Sequence, residues 1–164
     1  MPTTNQSERR QIMHKFFSRT SLVLTLSLAL LAPMVLADVA NVSSGPELQQ
    51  QAEKETTLIT TDELKKMLDE ELDMVLIDIR TPTEIQSMDG RIDASQDVNI
   101  PRGWLEFRAQ RVALSKETPI VVYCGAGLRS PLAARTLQNM GYTNVKNYSA
   151  GFFGWKEAGL PLKP

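Results

Sequence analysis

Two residue types that often carry catalysis and metal binding are almost missing from this sequence. The chain of 164 residues has one cysteine, Cys124, and one histidine, His14. His14 lies in an N-terminal segment that is predicted to be removed, which excludes Ser-His-Asp and Cys-His catalysis, because both need imidazole as the base. Zinc sites built from cysteine and histidine lack ligands here, and a lone thiol cannot form an internal disulfide. We therefore predict neither a metal nor a cofactor.

A long apolar run is also missing, except for a short one near the N-terminus. Four basic residues precede the apolar stretch 22–36, which ends beside the small residue Ala37. This order is typical of a secretory signal peptide, and the stretch is shorter than the roughly 20 apolar residues of a spanning helix. We predict an exported, periplasmic protein whose signal peptide, residues 1–37, is cleaved after Ala37. The alternative is an uncleaved N-terminal membrane anchor, and Met1 and Met13 both stay open as the true start.

Clustered positive charge is the third absence. Cleavage after Ala37 leaves 127 residues, enough for one domain, with a net charge of about −4. This balance argues against a nucleic-acid partner and gives no reason to expect stable membrane association after cleavage. Nothing in the sequence predicts the oligomeric state.

The elements that are present predict an α/β domain with a mainly parallel central sheet flanked by helices. Residues 38–56 are polar with little periodicity and are predicted to be a linker, part of which can turn helical from Pro46 onward. The domain is predicted at residues 57–164, where strands alternate with helices. The predicted strands lie at residues 57–59, 74–78, 98–101, 119–123 and 145–148, and the helices begin near residues 60, 82, 103, 130 and 151.

Several helix ends have clear signals in the sequence. Thr60 and Glu63 form a capping-box pattern, and Ser130 is predicted as an N-cap with Pro131 at the first helical position. Gly141 is predicted to end that helix. The aromatic residues that we assign to the core or to a pocket wall are Trp104, Phe107, Phe152, Phe153 and Trp155.

Cys124 follows the strand at 119–123 and precedes a glycine-rich loop, residues 125–129, which we call the cysteine loop. In parallel sheets, ligands bind at the carboxyl ends of the strands. Glycines let successive N–H groups converge on an anion, and the following helix adds its positive end. This environment favours a thiolate, and Arg129 adds a permanent positive charge. The pattern therefore predicts a nucleophilic Cys124 without a histidine base; the alternative is a buried core thiol.

The ordered motifs resemble the rhodanese family of sulfurtransferases over residues 57–163. They are LIDIR at 76–80 followed by Glu84, NIPRG at 99–103, IVVYC at 120–124, the cysteine loop with Ser130, and the segment at 151–161. The resemblance implies an α/β sheet domain whose loop cysteine takes sulfur from thiosulfate or a related donor and holds it as a persulfide. The persulfide then passes the sulfur to cyanide or another thiophile, so the implied partners are a small anionic donor and a thiophilic acceptor.

The same resemblance implies roles for individual residues. Cys124 carries the sulfur, and the Arg129 side chain holds the sulfonate oxygens of the donor or braces the loop. Asp78 and Arg80 match an Asp-x-Arg pair near the family's active site, with a structural ion pair as the alternative. The backbone amides implied to stabilise the persulfide anion belong to Gly125, Ala126, Gly127, Leu128 and Arg129.

Two other functions stay open. Phosphatases related to rhodanese use a Cys-x5-Arg loop sized for phosphate, whereas Cys124 and Arg129 enclose only four residues. A cysteine phosphatase is therefore a minor alternative. The other alternative is a rhodanese-fold module that binds or senses sulfide or persulfide with little turnover. The chain also departs from the family pattern at Arg91, where histidine is common, and in a longer segment before Asn99.

Overall fold

The structure is a computed structural model that describes residues 42–70 and 72–164. The predicted signal peptide at residues 1–37, and the membrane anchor that is its alternative, lie outside the described residues. Within residues 42–70 and 72–164, no helix is both long enough and apolar enough to span a membrane.

Five strands form the central sheet in the order β1-β6-β5-β2-β4. All four pairings between neighbouring strands are parallel, which confirms the predicted parallel sheet. A separate antiparallel pair, which the sequence patterns did not predict, joins β3 to β7. The strands are β1 (Thr57–Ile59), β2 (Val75–Asp78), β3 (Arg91–Ile92), β4 (Asp97–Asn99), β5 (Ile120–Tyr123), β6 (Val145–Tyr148) and β7 (Leu162–Lys163).

Six α-helices lie within the described residues and flank the sheet. Three of them begin with a capping box, in which the N-cap side chain and a glutamate three residues later satisfy the first free N–H groups. The predicted capping box of Thr60 and Glu63 is confirmed. The helices are α1 (Gly45–Glu55), α2 (Thr61–Asp69), α3 (Pro82–Ser87), α4 (Leu105–Arg108), α5 (Ser130–Asn139) and α6 (Gly151–Glu157).

Residues 45–55 form α1, in agreement with the prediction that part of the segment 38–56 turns helical from Pro46 onward. Ser44 caps this helix and Ala52 is fully buried. Glu55 lies 3.5 Å from the guanidinium of Arg135 on α5. The polar composition hid the packing of α1 on the domain, because only one narrow face of this helix needs to be apolar. Ser44–Pro164 is one compact unit, so the domain begins before Thr57.

Two details of the predicted helices also differ in the structure. Ser130 is not an N-cap: it is the first residue of α5, Arg129 takes the cap position, and no side chain caps the helix. The predicted helix over residues 103–114 is instead α4 with a 3-10 turn on each side, at Arg102–Trp104 and Ala109–Arg111. Gly141, with φ of 102°, follows the end of α5 as predicted.

Two apolar layers cover the faces of the sheet. One contains Leu105 of α4, Leu137 of α5 and Cys124. The other contains Leu64 of α2 and Trp155 of α6. Phe152 and Trp155 are buried as predicted. Trp104, Phe107 and Phe153, which are predicted to lie in the core or in a pocket wall, are exposed, so they do not belong to the core.

Candidate active site

Cys124 directly follows β5, the middle strand of the sheet, and Cys124 is only 1% exposed. Its thiol donates a hydrogen bond to Ser130 Oγ over 3.8 Å. The Ser130 hydroxyl in turn donates to the carbonyl oxygen of Gly127 over 3.5 Å. The buried hydroxyl of Ser130, the first residue of α5, therefore links the thiol to the cysteine loop. The sequence patterns pointed to Ser130 for capping and missed its contact with the thiol.

The start of α6 holds the first part of the cysteine loop. The Phe152 N–H donates to the Cys124 carbonyl over 2.8 Å, and the Phe153 N–H donates to the Gly125 carbonyl over 3.0 Å. Gly151 has φ of 61°, and a Cβ there would lie 2.6 Å from Gly125 O. Glycine at position 151 therefore allows the close approach that brings α6 onto the loop.

The N–H groups of the cysteine loop are free in the described part of the chain. None of the N–H groups of residues 125–129 donates to a carbonyl or side-chain acceptor there. In a trans peptide, the C=O and the N–H point in opposite directions. Because the Cys124 and Gly125 carbonyls point to α6, the N–H groups of Gly125 and Ala126 point away from it. Gly125 is a buried residue, so its free N–H group needs an acceptor, and an anion can supply one.

Gly127 shapes the second part of the cysteine loop. It has φ of 76°, and a Cβ there would overlap the carbonyl oxygen of Ser149. Both the left-handed conformation and the close approach exclude a side chain at this position. The sequence prediction that glycines let this loop curl is consistent with the structure at Gly127.

Arg129 is engaged by Glu84 of α3. Its Nη2 lies 2.5 Å from Glu84 Oε1, and its Nη1 lies 3.2 Å from Oε2. The hydrogen bonds from Arg129 lower the pKa of Glu84 to about 2, with help from the capping bonds of Thr81. Glu84 and the neighbouring Cys124 raise the pKa of the Arg129 guanidinium. Of the two predicted roles for Arg129, the ion pair supports bracing of the loop.

Asp78 and Arg80 form a fully buried pair below the loop. Arg80 Nη2 and Nε lie 2.6 Å and 3.1 Å from Asp78 Oδ2, and the Arg80 backbone N–H donates to Asp78 Oδ1 over 2.9 Å. The guanidinium also donates to Gly90 O over 3.0 Å and lies 4.0 Å from the ring centre of Phe152. Since all these contacts are within the protein, the arrangement supports the structural reading of the pair.

A second buried group, Asp97, was not identified from the sequence. Its Oδ1 accepts a hydrogen bond from the Tyr123 hydroxyl over 3.0 Å. Its Oδ2 lies 3.2 Å from Arg91 and 3.7 Å from Lys163, but no donor has hydrogen-bonding geometry there. Burial raises the pKa of Asp97 to about 6, although the charge of Arg91 opposes this change. Arg91, which departs from the family pattern, thus partners a carboxylate in the longer segment before Asn99.

A cavity of about 580 Å³ lies beside α3 and the β3–β7 pair. Ile85, Arg91 and Leu162 are among its lining residues, whereas no residue from 124 to 130 lines it. We place the candidate active site at Cys124 because the chemistry of the loop, and not cavity size, defines it.

Residues 60–158 match the family described as rhodanese-like domain, and the chain belongs to that family. A sulfurtransferase from Allochromatium vinosum is 35% identical over 105 residues, which cover 63% of this chain and 92% of that protein. The resemblance inferred from the motifs is thereby confirmed at the level of the family and the fold.

Two solved structures show how far the fold is shared. The polysulfide-sulfur transferase homodimer from Wolinella succinogenes is 32% identical, with a TM-score of 0.62 over 70% of this chain and 82% of that one. A protein from Rhodopseudomonas palustris, described as a possible tyrosine phosphatase, is 30% identical to this chain. Its TM-score is 0.63, and the match covers 74% of this chain and 96% of that protein. The sulfurtransferase relatives support sulfur transfer as the general activity of the chain.

Proposed function

We propose that this chain is a rhodanese-type thiosulfate sulfurtransferase that moves a sulfane sulfur through a persulfide on Cys124. The observation that carries the proposal is the cysteine loop, where a thiol at the carboxyl end of the central strand adjoins N–H groups without an acceptor. Such a cradle stabilises an anion without a histidine base.

The proposed reaction has two steps. The Cys124 thiolate bonds to the outer sulfur of thiosulfate or a similar donor, the sulfur–sulfur bond of the donor breaks, and sulfite leaves with the electron pair. Cyanide or another thiophile then bonds to the terminal sulfur of the persulfide, and the Cys124 thiolate leaves. One bond to the transferred sulfur forms and one breaks in each step, so no external oxidant or reductant is needed.

The proposed role of the loop amides is to hold the terminal sulfur of the persulfide, which carries negative charge. Arg129 keeps the loop in shape through Glu84 and adds a positive charge near this anion. Asp78 and Arg80 keep Phe152 in place, and Phe152 binds the Cys124 carbonyl. In this account, neither Asp78 nor Arg80 contacts the substrate.

The test is the release of thiocyanate from thiosulfate and cyanide by the purified protein. We expect turnover in the wild type and none in Cys124→Ala, with Ser87→Ala, an exposed position on α3, as the unchanged control. Thiocyanate release that persists in Cys124→Ala would reject the role of Cys124.

A second candidate function is a module that binds or senses sulfide or persulfide with little turnover. The low exposure of Cys124 and the ion pair that already engages Arg129 favour it, because both slow the access of an anionic donor. A persulfide that forms stoichiometrically but passes sulfur to neither cyanide nor a thiol would support this second function.

The phosphatase alternative is weaker. The similar structure from Rhodopseudomonas palustris is described as a possible tyrosine phosphatase, but the loop here has four residues between Cys124 and Arg129. Hydrolysis of p-nitrophenyl phosphate by the wild type and its loss in Cys124→Ala would favour this alternative.

We also propose that the protein is exported to the periplasm, with residues 1–37 as the leader. The basic residues, the short apolar stretch and Ala37 support this proposal. N-terminal sequencing of the protein from a periplasmic extract should begin at Asp38. An intact N-terminus in the membrane fraction would favour the anchor instead.

A further inference from the structure

An exposed aromatic pair lies on α4 and the turn that precedes it. Trp104 is 51% exposed and Phe107 is 72% exposed. Their rings pack edge to face with 6.1 Å between centroids, and the Arg108 guanidinium lies 4.6 Å from the centre of the Trp104 ring. Single exposed apolar residues are common on protein surfaces, whereas adjoining ones form a patch of the kind that marks interaction sites.

The aromatic pair lies at the same edge of the sheet as Cys124. The Arg102 N–H donates to Ile79 O over 3.0 Å, and the Ile79 N–H donates to Tyr123 O over 3.0 Å. Neighbouring strands are about 4.8 Å apart, so Arg102 lies roughly 10 Å from the residue that precedes Cys124. Leu128 of the cysteine loop, which is 59% exposed, adds a further apolar side chain at this edge.

The inner and outer faces of α4 are clearly separated. Leu105 and Ala109 are fully buried in the same apolar layer as Cys124. The aromatic pair is therefore not needed for the core, and its side chains are exposed. The path from this surface to the thiol is short enough for one docked macromolecule to reach both.

The charge of this segment differs from that of the whole chain. Residues 102–111 contain three arginines and one glutamate, whereas the chain has a formal net charge of −1. Glu106 is already paired with Arg102 over 2.9 Å. Arg108 and Arg111 therefore give the aromatic pair a positive border that complements an acidic partner.

A small sulfur anion or cyanide gains little binding free energy from contact with exposed aromatic rings. Protein interfaces, in contrast, are enriched in tryptophan, phenylalanine and arginine, and their strongest contacts are clusters of these residues. We propose that Trp104, Phe107, Arg108 and Arg111, here called the docking surface, bind a protein whose acceptor cysteine is surrounded by apolar and acidic side chains. This inference rests on the proposed sulfur transfer and names the macromolecular acceptor for it.

The transfer to such a partner is chemically balanced. The partner's thiolate forms a bond to the terminal sulfur of the Cys124 persulfide anion. The bond between that sulfur and Cys124 Sγ breaks, and Cys124 leaves as a thiolate with the electron pair. The product is a persulfide anion on the partner, and no oxidant or reductant takes part.

The test compares two cysteine peptides as acceptors. Glu-Leu-Cys-Leu-Glu imitates the proposed partner, and Lys-Ser-Cys-Ser-Lys has the opposite charge and no apolar neighbours. We expect the wild type to have a KM for the acidic peptide about tenfold below that for the basic one. Equal KM values for the two peptides would overturn the proposal.

Variants connect this preference to the docking surface. The double variant Trp104→Ala/Phe107→Ala should raise the KM for the acidic peptide about tenfold, whereas its kinetics with cyanide should stay within about twofold. Leu114→Ala removes an apolar side chain that is more exposed than either aromatic residue and lies outside the surface, and it should change neither value. An unchanged KM for the acidic peptide in the double variant would overturn the proposal.

A binding measurement separates this proposal from sulfur transfer itself. The peptide Glu-Leu-Ser-Leu-Glu cannot accept sulfur, so its binding to the full chain can be measured by calorimetry without a donor. Weaker binding to the double variant than to the wild type supports the docking surface even if no persulfide forms. Equal binding to both proteins overturns the docking surface, whatever the outcome of the thiocyanate assay.

Discussion

At the scale of single residues, the candidate site contains a thiol held by neutral groups. Cys124 contacts the Ser130 hydroxyl, and its carbonyl is bound by the N–H of Phe152. The charged groups near it, Arg129 and Glu84, are already paired with each other. In the proposed function, the reactivity of Cys124 would come from the loop amides, the end of α5 and the net effect of the Arg129–Glu84 pair, since no imidazole is present among the described residues.

Asp97 provides a prediction about pH. Burial raises its pKa in the folded state to about 6, above the ordinary value of 3.8 for an aspartate side chain, so the folded protein binds this proton more tightly than the unfolded chain. The stabilisation is complete below about pH 4 and is lost as the pH rises through about 6. The free energy of unfolding of the wild type, relative to Asp97→Asn, should fall by roughly 2–3 kcal/mol between about pH 4 and 7.5.

Urea unfolding of both proteins across this range measures the difference. A difference that stays constant would show that Asp97 titrates normally. A difference that grows with pH would show that the ion pairs with Arg91 and Lys163 outweigh the cost of burial.

At the scale of elements, the cysteine loop depends on its contact with α6. Gly151 and Gly159 share nearly the same backbone conformation, with φ of 61° and 66°, but only Gly151 lies close to other atoms. Alanine at either position should cost about 1–2 kcal/mol in stability because of the left-handed backbone. Only Gly151→Ala should also push the Gly125 carbonyl away and slow sulfur transfer about tenfold or more.

For each variant, thiocyanate release measures the rate of sulfur transfer, and urea unfolding measures the stability. Equal activity of Gly151→Ala and Gly159→Ala would show that the loop does not depend on the contact with α6.

The helix α1 is predicted to stabilise the domain although it precedes the residues that match the family. Ala52 is fully buried, whereas Gln51 beside it is exposed. Ala52→Glu should lower the free energy of unfolding by roughly 2–4 kcal/mol, because it buries an unpaired carboxylate. Gln51→Glu introduces the same side chain at an exposed position and should change it by less than about 0.5 kcal/mol. Similar values for the two variants, measured by urea unfolding, would mean that α1 does not pack on the domain in solution.

At the scale of the whole molecule, local sequence patterns predicted most of the fold. Continuous apolar runs located β2 and β5, and the capping box at Thr60 located α2, because these signals depend on neighbours in the chain. The position of Cys124 at the end of a central strand followed from the same patterns. The β3–β7 pair was missed because two-residue strands are too short to show periodicity.

Contacts between distant residues could not be predicted in this way. Arg129 and Glu84 are 45 positions apart, and Asp97 and Tyr123 are 26 apart, so only the folded chain brings them together. The exposure of Trp104 and Phe107 was also missed, since aromatic residues are more often buried than exposed and α4 gave no periodic signal. The residues of the cysteine loop were predictable, whereas the groups that hold it were not.

If Cys124 carries sulfur as a persulfide, intact-mass measurement after thiosulfate treatment detects it. We expect the wild type to gain the mass of one sulfur atom, cyanide to remove it, and Cys124→Ala never to gain it. An unchanged mass of the wild type with thiosulfate and with polysulfide as donors, or an equal gain in Cys124→Ala, would contradict a persulfide on Cys124.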